Sequence, residues 1–108
     1  MSKKNYKIKL LTLLGFAQKS KNLISGQNAV EANLNQQRIK LLILAEDISE
    51  KVKLKWIEKA KNYSVPIIFF ETKDILGKSI GKSSKGFIGI KDKQLAQTIL
   101  KYRMELYD

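Results

Sequence analysis

Leu41-Leu42-Ile43-Leu44-Ala45 is an unbroken apolar run that stops abruptly at Glu46-Asp47. A strand with one face in water alternates apolar and polar residues, whereas a strand covered on both faces reads as continuous apolar sequence. The run is short for a helix and rich in branched aliphatic side chains. It reads as a central strand with helices packed on both sides.

The flanking sequence alternates helix and strand signals in the way such a sheet requires. Upstream, Lys7 to Ser20 carries a helical stripe of Ile8, Leu11, Leu14 and Gly15, widened by Leu10, Leu13 and Ala17. Leu23 to Ser25 reads as a short strand. Ser25 is placed to cap a second helix running to about Gln36, with Asn28 at its third position. Downstream, Ser49 caps a helix to about Tyr63 with an apolar face of Val52, Trp56, Ile57 and Ala60, and Lys51, Lys55 and Lys59 form its solvated stripe. Pro66 opens a strand to Phe70 at the one place in a strand where a missing N–H is tolerated. A short helix from Lys73 to about Ile80, a polar loop from Gly81 to Gly86 and a strand from Phe87 to Ile90 follow. Asp92 then caps a last helix whose inner face is Leu95, Ala96, Ile99, Leu100 and Met104. A helix first, then strand and helix alternating four times, gives one α/β domain over all 108 residues.

Composition narrows the chemistry. Histidine and cysteine are both absent, which excludes disulfides, cysteine nucleophiles, histidine bases and the usual zinc ligands. No metal site, cofactor or catalytic residue is expected. No run reaches the ~18 apolar residues of a membrane span. Lys3, Lys4, Lys7 and Lys9 before an apolar run faintly resemble a signal peptide, but Lys19 and Lys21 follow with no cleavage region between, so a cytoplasmic location is expected. Lys and Arg total 21 against 10 acidic residues, a net charge of +11. Such an excess on one small domain attracts polyanions, nucleic acid above all. Arg38 and Arg103 are the only arginines, so bidentate guanine reading by several arginines is not available and no DNA partner is expected.

Strand-to-helix loops of a parallel sheet leave it from one edge. Ser25-Gly26-Gln27-Asn28 and Glu46-Asp47-Ile48-Ser49 should therefore gather, joined by Gly81-Lys82-Ser83-Ser84-Lys85-Gly86 if the last strand runs antiparallel. Free N–H groups at the start of the second helix favour phosphate. Gly26 permits close approach of a nucleic-acid backbone, and Asn28 offers a donor and an acceptor to base edges or ribose hydroxyls. Glu46 and Asp47, adjacent in an extended chain, point apart and do not converge for acid–base work. Asp47 is read as capping the following turn or aiming a lysine. Gly77-Lys78-Ser79 lacks phosphate-loop spacing and lies on a helix, so nucleotide hydrolysis is rejected. Lys78, Lys82, Lys85 and Lys21 are read as phosphate contacts. Tyr6, Tyr63, Tyr102 and Tyr107 lie away from this face, which favours folded RNA over splayed single strands.

Five segments together carry a family resemblance: Leu13-Leu-Gly-Phe-Ala17, Leu23-Ile-Ser-Gly26, Leu42-Ile-Leu-Ala-Glu-Asp47, Val65-Pro66 and Leu76-Gly-Lys-Ser-Ile-Gly81. From about Leu11 to Leu100 the chain resembles the ribosomal protein L-seven-Ae family of kink-turn RNA binders, and within it a bacterial branch of small ribosome-associated proteins. The resemblance implies a three-layer α/β/α sandwich around a four-stranded mixed sheet, with the last strand between the first and second and antiparallel to both. It implies a structured-RNA partner, kink-turn or ribosomal. The family's Gly-x-Asn-Glu-x-x-Lys motif reads tandem sheared G·A pairs. Gly26 and Asn28 match it, whereas the glutamate position is Ala29 and the lysine position is Ala32, with Glu31 nearby. Asp47 matches an acidic position after the second strand and Lys78 a basic one. Ser83-Ser84-Lys85 is more polar than the loop that packs on a flipped nucleotide. The expectation is a non-catalytic RNA-binding accessory protein using Gly26, Gln27, Asn28, Lys21, Asp47, Lys78, Lys82, Ser83, Ser84 and Lys85. The alternative is a protein-interaction module of the same fold that has lost kink-turn recognition.

Overall fold

The computed structural model describes residues 2–107. Its elements are α1 (Lys3–Lys19), β1 (Leu23–Ser25), α2 (Gln27–Asn35), β2 (Leu41–Leu44), α3 (Glu50–Asn62), β3 (Ile67–Phe69), α4 (Lys73–Ser79), β4 (Phe87–Ile90) and α5 (Lys93–Tyr107). The strands form one sheet in the order β1-β4-β2-β3. β4 is antiparallel to both β1 and β2, and β2 is parallel to β3.

The apolar run at Leu41 behaves as a two-faced strand. Leu41, Ile43 and Ala45 enter one core cluster with Leu10, Leu14, Ala17 and Ile99 of α1 and α5. Leu42 and Leu44 enter the other, with Val30, Leu34, Trp56 and Ala60 of α2 and α3. Successive side chains of a strand point to opposite faces, so a short run feeds both cores. Each fully buried aliphatic or aromatic side chain here contributes about 1.5–3 kcal/mol. β4 repeats the alternation, with Ile88 and Ile90 on the α1–α5 side and Phe87 against Trp56 at a centroid distance of 5.0 Å. Between them Gly89 leaves room for Ile39, whose Cδ1 would lie 2.5 Å from a Cβ there and would have to move aside. On the edge strand β3, the Arg103 guanidinium donates to the Phe69 carbonyl at 3.2 Å, blunting an otherwise open edge.

Ser49, Thr72 and Asp92 cap α3, α4 and α5 by accepting from the N–H groups of Val52, Ile75 and Leu95. Four sequence expectations are corrected. α1 begins at Lys3, four residues before the expected start at Lys7, because lysine is itself a good helix former. Met104 does not face inward but is 64% exposed, because Tyr102 and Leu106 take the core-facing positions at that end of α5. Ile57 is exposed rather than on the inner face of α3. Lys59 is not in open solvent: it pairs with Glu31 at 2.6 Å and lies over the Trp56 ring. Among the described residues no helix is long and apolar enough to cross a membrane.

Candidate nucleic-acid interface

The strand registers decide which loops meet. Ser25 lies opposite Ile88, and Leu44 lies opposite both Phe87 and Phe69. The C-terminal ends of β1, β2 and β3 and the start of β4 therefore share one edge. Backbone bonds stitch it together: the Gly26 N–H donates to the Phe87 carbonyl at 2.9 Å, Ala45 to Gly86 at 3.0 Å and Glu46 to Glu71 at 2.7 Å.

Gly26, not Ser25, is the N-cap of α2. Its φ of 97° and ψ of 141° turn the chain sharply from β1 into the helix, in a region that L side chains adopt only under strain. Ser25 is still paired in β1 and supplies no cap, and Asn28 is consequently the second helical residue. No side chain caps α2, so the N–H groups of its first turn have no intrahelical acceptor. Gln27, Asn28 and Ala29 are exposed around them. Space beside Gly26 is open, with nothing within 4 Å of an added Cβ.

The Gly81–Gly86 loop runs back along α4 toward this edge. Lys82 N–H donates to the Gly77 carbonyl and Lys85 N–H to the Lys73 carbonyl. Gly77 makes that path possible, because a Cβ there would stand 1.9 Å from the Ser83 carbonyl oxygen. Lys82, Ser83 and Ser84 are exposed. Lys85 and Gly86 reach the edge itself, beside Ala45 and Phe87. Asp47 has a defined mechanical role: its Oδ1 accepts from the Lys73 N–H at 3.0 Å, joining the β2–α3 loop to the start of α4. The acid thus sits at a helix N-terminus, where the dipole favours it.

Two residues of the expected set lie elsewhere. Lys21 closes the C-terminal turn of α1 with φ 63°, at the far end of β1, where the Asn22 carbonyl accepts from Lys91. Lys78 lines a groove with Ile8, Leu11 and Thr12 of α1. Glu31 does not substitute for the acid missing at Ala29: it faces α3, where the Lys59 ammonium bonds it and, with Lys55, holds its carboxyl below the usual carboxylate range. Tyr6 and Tyr102 pack on each other between α1 and α5, and Tyr63 bonds Asn35; the Tyr107 side chain lies outside the described residues. Among the described residues no cluster of carboxylates could hold a metal ion.

Residues 8–100 match the ribosomal protein L7Ae/L30e/S12e/Gadd45 family. An RNA-binding protein YlxQ of Bacillus subtilis (strain 168) is 32% identical over 88 residues, spanning 82% of this chain and 88% of the relative. One of the same name from Enterococcus faecium is 32% identical over 89 residues, spanning 82% and 85%. A solved structure of a protein of unknown function from Bacillus halodurans superposes with a TM-score of 0.83 at 29% identity, covering 87% of this chain and 95% of that one. The Giardia lamblia 15.5kD RNA binding protein shares the fold, with a TM-score of 0.75 at 19% identity over 94% and 88% of the two chains.

Proposed function

We propose that this chain, which belongs to the ribosomal protein L7Ae/L30e/S12e/Gadd45 family, is a non-catalytic, cytoplasmic RNA-binding protein that docks structured RNA on the edge built by Gly26, Asn28 and Lys85. The observation that carries the reading is the uncapped start of α2. Its first-turn N–H groups, the open space at Gly26 and the exposed Asn28 adjoin the start of β4, where the Gly26 N–H bonds the Phe87 carbonyl two residues beyond Lys85. A sugar–phosphate strand lying along this edge meets oriented amides on one side and Lys82 and Lys85 on the other. Phosphate contacts then fix position, while Asn28 supplies one local contact to a base edge or ribose hydroxyl. Without a histidine or cysteine anywhere in the chain, the edge offers no activated nucleophile or neutral-pH base.

Kink-turn and ribosomal RNA are the ligands the family relationship favours. Ala29 and Ala32 lower the expected selectivity, because each contact they forgo is worth about 1–3 kcal/mol by analogy with base reading in DNA. The test is titration of a kink-turn RNA and a matched straight duplex at several salt concentrations. Salt-sensitive binding to both, with a modest preference for the kink-turn, is expected. Equal weak binding removes kink-turn recognition, and no binding to either at low salt removes the RNA assignment.

A further inference from the structure

On the opposite side of α4 from this edge, α1 and α4 enclose an apolar groove that RNA binding does not use. Its floor is aliphatic: Ile8 is 52% exposed, Ile75 38%, and Leu11 lies partly exposed between them. The groove continues toward the start of α1 beneath Lys3 and Lys4, and Lys78 stands on its α4 bank. Among the described residues none of these three lysines has a carboxylate partner. The nearby carboxylate of Glu71 is already neutralised by Lys7 at 2.8 Å.

α1 contains five lysines and no acidic residue, and two of the lysines occupy its first turn. Positive charge in the first turn opposes the helix dipole, a local cost that a neighbouring negative charge offsets. A negatively charged cover relieves this and an apolar one relieves the exposed isoleucines. We infer that the α1–α4 groove is a docking site for an acidic amphipathic helix of another protein, its apolar stripe on Ile8, Leu11 and Ile75 and its carboxylates against Lys3, Lys4 and Lys78. RNA has no aliphatic groups to seat on that floor. A second copy of the chain would bring one lysine-rich helix against another. A cleft between two helices suits the helix-in-groove mode, in which residues at i, i+3, i+4 and i+7 anchor the guest.

The test uses the full chain, isotope-labelled for amide spectra. It is titrated with a synthetic helical peptide carrying leucines at i, i+4 and i+7 and glutamates between them, and with a lysine counterpart of the same leucine spacing. Amide shifts confined to α1 and α4, produced by the glutamate peptide alone, are expected. Ile8→Ser and Ile75→Ser should each weaken that binding about tenfold. Both sites are exposed, so folding and RNA titration should be unchanged. The inference is overturned if the glutamate peptide causes no shifts, if the lysine peptide binds equally, or if shifts fall at α2 instead. It is also overturned if phosphatidylglycerol-containing vesicles bind the chain through Ile8 while the peptide does not. Because the site shares no residue with the α2 edge, each of these failures leaves the RNA assignment standing.

Discussion

Restoring the two residues in which α2 departs from its family gives the sharpest test of the proposed edge. Ala29 and Ala32 are both exposed, so Ala29→Glu with Ala32→Lys disturbs no packing. The backbone bond that the Ala29 carbonyl accepts from the Asn33 side chain at 2.8 Å is untouched. A carboxylate at the third helical position is favoured by the helix dipole by about 0.3–1 kcal/mol, and the introduced pair, spaced i,i+3, adds about 0.2–0.5 kcal/mol. The fold should be unharmed, which emission from Trp56 reports. That residue is the sole tryptophan and is wholly buried.

The double change adds one negative and one positive charge, so the charge of +11 is preserved and the salt-dependent, sequence-independent part of RNA affinity should not move. Selectivity should. Each restored contact is worth about 1–3 kcal/mol, less the weak internal pair that RNA must break. A rise of at least about tenfold in the kink-turn to duplex affinity ratio is therefore expected. Fluorescence anisotropy with both labelled RNAs at two salt concentrations measures it. An unchanged ratio in a folded variant would mean that the start of α2 is not the surface that meets the G·A pairs.

Other outcomes follow from the same geometry. Gly26→Ala should destabilise the fold by about 1–3 kcal/mol through backbone strain alone, no atom standing in its way; a denaturation midpoint equal to wild type would show that φ 97° is not enforced. Gly77→Ala drives a Cβ into the Ser83 backbone, so it should cost about 1–3 kcal/mol or more and displace the Lys82–Lys85 loop, lowering RNA affinity with stability. Lys82→Glu and Lys85→Glu should each flatten the plot of log affinity against log salt by about 0.7–0.9 for every phosphate the protein no longer neutralises, and a slope that stays put would remove that lysine from the footprint. Glu31 has its pKa lowered by Lys59, so the pair's contribution is fully present above the unfolded value of 4.5 and is lost as pH falls through the depressed folded value. Glu31→Gln should therefore reduce stability by no more than about 1 kcal/mol at pH 7, and the gap from wild type in urea melts should close in acid rather than persist.

The fold was legible wherever one strong local signal decided an element. Five apolar residues at Leu41 implied two cores, and both exist because strand side chains alternate. Ser49 and Asp92 cap as read, since a hydroxyl or carboxylate ahead of an apolar helix face has few other uses. Ser25 carried the same signal and does not cap, because β1 holds it in register while Gly26, free to adopt positive φ, makes the turn. Placement of the lysines was the least legible part. Lys21 and Lys78 are basic and near glycines in sequence, as Lys82 and Lys85 are. Their positions depend on the far end of a three-residue strand and on the phase of a seven-residue helix, which composition does not encode. Ile8 and Ile75 were invisible as a groove for the same reason: their exposure follows from how α1 and α4 pack, not from either helix alone.

The carboxylates at the edge are the apparent contradiction in an RNA-binding reading, and bonding engages two of the three. Glu46, Asp47 and Glu71 all follow the β2 and β3 ends and would repel a polyanion if free. Asp47 is engaged by the Lys73 N–H and Glu71 by Lys7. Lys73 joins the lysine loop to one of these acids, its N–H bonded to Asp47 and its carbonyl accepting from the Lys85 N–H, while the uncapped start of α2 follows β1 on the other side of β4. The sheet order β1-β4-β2-β3 puts the start of α2, after β1, at the opposite end of the edge from Glu71, which follows β3. A single antiparallel strand inserted between β1 and β2 therefore brings the exit of the basic loop between the start of α2, through the Gly26–Phe87 bond, and the acidic turn after β2, through the Ala45–Gly86 bond.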